Sequence, residues 1–340
     1  MSANDFLLDA AIKHQIYVQR YAGGQVKDLV KYLDDAQAEI LRQLRTVKSL
    51  AESRTLNRKL DRIVRLQQEA VTKLASDITS NAADFAEYEA DFAVRTMNAA
   101  AAASVTLPAS EQLRALVTQR PMQLAASGRA GSTIQSLTID QAARQFAGDK
   151  AAEVRRAIQA GMVEGSTVQT LTREIVSVTN RHKRQAEALV RTTTNHISAE
   201  ARSAVNQAND DILKGEEWVA VLDGRTTIGC ASLDGKILGF DEPPFVPRHW
   251  NCRSVRVPVL NDEFQEGGLE GTRASMDGPV SAKRTYSGWL KDQSAEFQDE
   301  MLGKERGKLF RSGKIKLDQF VDQNYNPVSL EQLRVLDAAQ

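Results

Sequence analysis

From Val26 onward apolar residues recur at Leu29, Val30, Leu33, Ala36, Ile40, Leu41, Leu44 and Val47, the alternating three- and four-residue spacing of one helical face. Gly23 and Gly24 interrupt the pattern ahead of it, which predicts a separate short helix ending near Tyr21. After a break near residues 52–54, a second stripe runs Leu56, Leu60, Ile63, Ala70, Val71, Leu74 and Ile78 and continues through Phe85, Tyr88 and Phe92 to the alanine-rich tract at 99–103. Two such stripes in succession predict a long antiparallel helical hairpin. Helix–helix core is the ordinary use of both faces, with a groove for another subunit as the alternative.

Pro108 and Pro121 bracket a further short helix, and residues 127–131 (SGRAG) read as a joint. Helical patterning resumes over about 139–160, 168–178 and 180–213, with Ser166 and Thr179 or Asn180 as expected N-caps. Lys214 and Gly215 mark a change of composition. Beyond them, residues 218–222 (WVAVL), 237–240 and 254–259 (SVRVPV) are apolar and β-branched and predict strands. The expected fold is therefore mainly α with a small α+β module. The expected divisions are 1–127 (long-helix hairpin), 133–214 (helical), 215–262 (β and loop) and 280–340 (helical tail).

Composition narrows the function. The 340 residues suffice for two or three domains, and the 44 basic and 44 acidic side chains cancel, so no overall charge points to nucleic acid, membrane or an acidic substrate. The start, MSANDFLLDA, lacks the basic and apolar regions of a signal peptide, and no apolar run approaches the roughly 20 residues of a spanning helix. Expression in a cytoplasm is expected. Cys230 and Cys252 are too few for a disulfide framework.

Residues 216–258 read EEWVAVLDGRTTIGCASLDGKILGFDEPPFVPRHWNCRSVRVP. A Trp-led strand, an Asp-x-Arg-Thr turn, a cysteine, a Leu-Asp-Gly turn, a proline-rich loop, His-x-Asn-Cys-Arg and a closing strand together resemble the Mu F family of phage head proteins. Upstream, LVRTTTNHISAEAR (189–202) resembles that family's helix carrying an Arg-Thr pair. Downstream, residues 285–321 resemble its tail, with Trp289, Leu302, Gly303, Arg306, Leu309, Phe310 and Gly313 at the patterned positions. The resemblance spans about 135–335. One departure is that relatives often carry a further cysteine where this chain has Thr227, Ile228 and Gly229.

The resemblance implies a non-enzymatic minor head protein of the virion. Its implied partners are the portal protein, major capsid or scaffold proteins and packaged DNA, with no membrane during assembly and an oligomeric state on the portal. Its implied locations are the head interior or portal vertex, after a cytoplasmic phase of assembly. Because the chain stops at Gln340, shortly past the family tail, no catalytic extension of the kind some relatives carry is expected.

The residues of the signature segment also have their own chemistry. Cys230, His249 and Cys252 offer two thiolates and an imidazole, and His249-x-x-Cys252 has the spacing of a ligand pair on one turn. A structural zinc would need a fourth donor, for which Asp223 and Asp234 are the candidates. The alternatives are a buried hydrogen-bonded cluster with no cofactor and, in an oxidising medium, a disulfide. Asp223 suits a turn and a pairing with Arg225 or Arg253, and Asp234-Gly235 suits a tight turn between strands. With Thr226 and Asn251 from the two motifs, these residues form the expected structural cluster. A nucleophile–base–orienter reading of Cys, His and Asp lacks an oxyanion-hole or Gly-rich companion. His14, His182 and His196 fall on helices as surface or satisfied residues. Lys304, Arg306, Lys308, Arg311, Lys314 and Lys316 face only Glu305 in the same run. That run is a solvated face or, alternatively, a nonspecific contact to DNA phosphates.

Overall fold

The computed structural model describes residues 2–46, 53–101, 103–125, 133–264 and 271–338. The joint expected at 127–131, Val47 and, of the break expected at 52–54, residue 52 lie outside them. In chain order the elements are α1 (Ala3–Arg45), α2 (Ser53–Ser80), α3 (Ala82–Ala101), α4 (Ser110–Gln119), β1 (Met122–Ala125), β2 (Ile134–Leu137), α5 (Ile139–Val163) and α6 (Val168–Gln207). There follow β3 (Leu213–Val219), α7 (Ile228–Leu233), β4 (Ile237–Leu238), β5 (Val255–Leu260), β6 (Thr272–Ser275), β7 (Gly278–Ser281), α8 (Tyr286–Lys291), α9 (Ala295–Leu302), α10 (Lys304–Ser312) and α11 (Leu330–Ala338). The fold is mainly α with small antiparallel sheets toward the C-terminus, as expected.

These elements form two compact units, one of residues 20–82 and 137–194, the other of residues 1–19, 83–136 and 195–340. In the first, the later part of α1 and α2 run antiparallel. Tyr32 donates to Asp77 at 2.9 Å, while Ile40 and Leu44 share a core with Ile63 and Val64, so residues late in one helix meet residues early in the next. Val154 and Ile158 of α5 and Leu171, Ile175 and Val178 of α6 complete that core. Apolar burial of this kind, at about 25 cal/mol per Å², is the main force holding helices that are individually marginal.

Four helix boundaries differ from expectation. α1 runs unbroken through Gly23 and Gly24. Two helical glycines cost only about 1 kcal/mol each relative to alanine, and Ala22, Leu29 and Leu33 beside them are buried, so packing overrides the local preference. The second stripe is not one helix: it divides at Asn81, and α3 belongs to the other unit. The predicted stop near Thr179 is absent, because α6 is continuous; Thr179 turns its hydroxyl back onto the Ile175 carbonyl at 2.9 Å instead of capping a new helix. The start of α6 is capped by Thr167, whose Oγ1 accepts from the Thr170 N–H, and not by Ser166.

In the second unit β3 is the centre of a three-stranded antiparallel sheet in the order β4–β3–β5. The register pairs Glu217 with Ile237 on one side and with Val257 on the other. The strand starts earlier than predicted, at Leu213, and ends at Val219, so that only two residues of the expected run 218–222 belong to it; it has an irregularity at Gly215. There φ is +146°, and a Cβ would lie 2.6 Å from the Leu238 carbonyl, so the position requires glycine. A second core joins Ala220, Leu222 and Ala231 to Tyr286, Trp289 and Leu290 of α8, Leu302, Phe310 and Phe320. The tail is thus part of the module's interior. Among the described residues, no helix is long and apolar enough to cross a membrane.

Candidate functional site: a buried Cys/His cluster

After β3 the chain turns through 223–226 and enters α7, a short helix that the sequence pattern did not reveal. Thr227 is its N-cap, its hydroxyl accepting from the Cys230 N–H at 3.4 Å, which sets Cys230 on the first turn. The return segment passes the prolines and delivers His249 and Cys252 on one tight turn, closed by the Cys252 N–H donating to the His249 carbonyl at 3.0 Å. Asn251, at φ +60°, takes the left-handed conformation that this turn needs and that asparagine tolerates. Asn195 of α6 donates to the Cys252 carbonyl at 3.0 Å and fixes the turn from the helical side.

The three side chains meet in one buried cluster. Cys230 Sγ lies 3.2 Å from His249 Nε2 and 3.9 Å from Cys252 Sγ, and the three potential donor atoms all lie within 4.8 Å of one another. Both cysteines are free thiols, packed with Trp218, Leu233, Leu238 and Val246. His249 Nδ1 is 2.9 Å from the Trp250 carbonyl, so Nδ1 carries the proton and Nε2 faces the sulfurs. The contact between the two sulfurs, together with the adjacent imidazole, pushes the Cys252 thiol down, while the same contact and burial push the Cys230 thiol up. Burial opposes a charge on His249, and the Cys252 sulfur outweighs it and raises the imidazole.

Neither aspartate joins this group. Asp234 is buried, and its carboxylate accepts from the Ala220 N–H at 2.7 Å, the Tyr286 N–H at 2.6 Å and both terminal nitrogens of Arg273 at 2.9 and 3.0 Å. A carboxylate so committed has no free lone pair for a metal. The expected Asp-Gly turn is present, with Gly235 at φ +83°. Asp223 pairs with Arg253 in a two-pronged contact of 2.5 and 2.9 Å and accepts from the Arg225 N–H and the Thr226 hydroxyl. Burial works against its charge, but Arg253 prevails and holds the carboxyl below the usual range. Arg225 itself is exposed, with only a long 3.9 Å approach to Asp223, so of the two arginines considered Arg253 is the main partner. Among the described residues no aspartate orients His249, whose Nδ1 meets the Trp250 carbonyl, so these side chains do not form the triad arrangement.

The tail residues have structural roles. Trp289 is buried edge-on to Tyr286 and Phe297, with ring centroids 5.3 and 5.7 Å away. Gly303 and Gly313, at φ +83° and +75°, end α9 and α10, and Arg306 donates to the Val328 carbonyl at 2.7 Å. Much of the basic run is engaged locally: Lys308 with Glu305, Arg311 with Asp299 and Lys314 with Asp337. Lys304 and Lys316 are exposed.

Polar core groups that the sequence did not disclose accompany the cluster. Glu89 of α3 is fully buried, 2.7 Å from His14 Nε2 and accepting from the Ser198 hydroxyl at 2.5 Å. Glu216 pairs with Arg256 at 2.7 Å. Glu200 pairs with Arg120 at 3.2 Å, and burial raises its carboxyl to about 7. His196, against the Arg120 carbonyl, is lowered to about 4 by burial. In the other unit His182 bridges Gln67 and Glu153. Each helical histidine is thus buried and partnered. The partners lie far apart in sequence and follow no period, so no pattern signalled them.

A mainly helical protein whose small three-stranded sheet carries a buried Cys/His staple is the class that fold and site define. Residues 152–257 match the family model for Phage Mu protein F like protein, and this span is phage Mu F-like. No curated protein and no solved structure matches the chain. The matched span opens within α5, takes in all of α6 and the Cys/His cluster, and closes within β5.

Proposed function

We propose that the chain is a non-enzymatic minor head protein of a phage, which joins the procapsid, contacts the portal or inner capsid and supports head assembly, DNA packaging or delivery. The observation that carries this reading is the coincidence of the family match with the stretch that builds the Cys/His module. The module's construction supports a docking role. Its polar groups are spent on Arg–carboxylate pairs and turns that hold one shape, and its reactive side chains are enclosed in an apolar core. Exposed Tyr17 and Tyr88, which stack on His14, offer aromatic contact area of the sort found at interface anchors.

Quantitative mass spectrometry of purified heads and empty procapsids, with crosslinking to the portal, tests the proposal. A few copies per particle crosslinked to portal or inner capsid support it, and absence from both particle types refutes it. The rival, an internal protein that binds DNA nonspecifically and leaves with the genome, rests on the exposed lysines of the tail. Their pairing with Glu305 and Asp337 favours the adaptor. Purified protein is accordingly expected to show the same salt-dependent DNA retention before and after Lys308, Arg311 and Lys314 are changed to Glu. A marked loss would favour the rival.

A further inference from the structure

We propose that Cys230, His249 and Cys252 together bind a single zinc(II) ion. Tetrahedral zinc with Zn–S of about 2.3 Å and Zn–N of about 2.0 Å places two sulfurs about 3.8 Å apart and a sulfur and a nitrogen about 3.5 Å apart. The sulfurs of Cys230 and Cys252 are 3.9 Å apart, Cys230 Sγ is 3.2 Å from His249 Nε2, and all three donor atoms lie within 4.8 Å of one another, so two of the three donor–donor separations are already close to those of that tetrahedron.

The imidazole is also oriented as a ligand. Its Nδ1 is anchored on the Trp250 carbonyl, which leaves the Nε2 lone pair toward the sulfurs, the outer-shell arrangement that metal-bound histidines ordinarily have. The Cys252 carbonyl is itself gripped by Asn195, so the ligand turn is held from outside. Charge fits the enclosure as well. Two thiolates and a neutral imidazole balance a divalent cation, so the loaded site carries no net charge into the apolar surroundings of Trp218, Leu233 and Val246. Two soft sulfur donors with one nitrogen suit zinc over magnesium, calcium or manganese. With both aspartates committed to arginines, the fourth donor is a small exogenous one such as water, and the Thr227 hydroxyl, 3.2 Å from His249 Nε2, stands where it can hold that ligand.

The test uses the purified full-length chain under reducing conditions and is independent of whether the protein enters a virion. Elemental analysis is expected to find about one zinc per chain. Cobalt(II) titrated into chelator-stripped protein is expected to give tetrahedral d–d bands and thiolate-to-metal charge transfer, both displaced by zinc. Cys252→Ser should weaken binding by on the order of 100-fold or more and cut the charge-transfer intensity. Because that variant could fail to fold, thiol labelling of the unmodified chain serves as the second measurement, and zinc should slow the modification of both cysteines. Cobalt binding without a thiolate band, or identical labelling rates with and without zinc, overturns the proposal.

Discussion

Replacing Asp234 with Asn is expected to be among the most destabilising single changes in the module. The carboxylate and Arg273 are both buried, with side-chain exposures of 0% and 3%, and the same carboxylate satisfies the N–H groups of Ala220 and Tyr286. The amide keeps the shape but removes the charge, and it turns an NH2 group toward donors that need an acceptor. Breaking a buried ion pair from one side costs about 3–5 kcal/mol, and an orphaned buried N–H about 1–3 kcal/mol more, not fully additive. A loss of at least about 3 kcal/mol is a large fraction of the 5–15 kcal/mol typical of a folded domain. In a unit of roughly 200 residues it corresponds to a fall in Tm of about 6 °C or more. Urea and thermal unfolding followed by near-ultraviolet circular dichroism, which reports the packed Tyr286 and Trp289, measure it directly. A double-mutant cycle with Arg273→Met should show coupling of about 1–3 kcal/mol. A loss under 1 kcal/mol, or strictly additive effects, would refute the view that Asp234 organises this interior.

Other consequences can be checked alongside. Burial raises the Glu200 carboxyl to about 7, so the folded state holds that proton more tightly than the unfolded chain. Its contribution is therefore present at low pH and lost as pH rises from about 4.5 through 7, by on the order of 3 kcal/mol. Glu200→Gln should gain stability relative to the parent between pH 5 and 8 in denaturant melts, and a constant difference would count against the raised value. Gly229→Ala would set a Cβ 2.5 Å from the Tyr325 carbonyl and 2.8 Å from Arg248 Nη1, and should cost about 1–3 kcal/mol by overpacking. Unchanged unfolding midpoints would show that the contact relaxes freely.

The strands and the meeting of Cys230 with His249 and Cys252 were legible because each depends on local signals. A β-branched run marks β5 closely and the last two residues of β3, whose first five residues lie outside the predicted run, and a cysteine on either side of a turn-rich loop invites closure. α7 was not legible: six residues with two small side chains show no period, and its start is set by one hydroxyl, that of Thr227. The fate of Gly23 and Thr179 was hidden for the opposite reason, since their local preference is real but weak beside the burial of Ala22, Leu29 and Ile175. The commitment of Asp234 was invisible because Arg273 lies 39 positions away in a hairpin with no pattern of its own.

That hairpin bears on how the protein can be divided. A fragment trimmed to the matched span would stop at residue 257, midway along β5, and would discard the guanidinium that neutralises Asp234 along with the aromatic rings of 286 and 289 that roof Ala220 and Leu222. Such a piece keeps the thiol and imidazole trio and most of the apolar side chains around it, yet lacks most of the second core, the one packed against Ala220, Leu222 and Ala231. The smallest autonomous folding piece of this region must therefore reach well into the helices after residue 285, and boundaries drawn from sequence similarity alone cut through its heart.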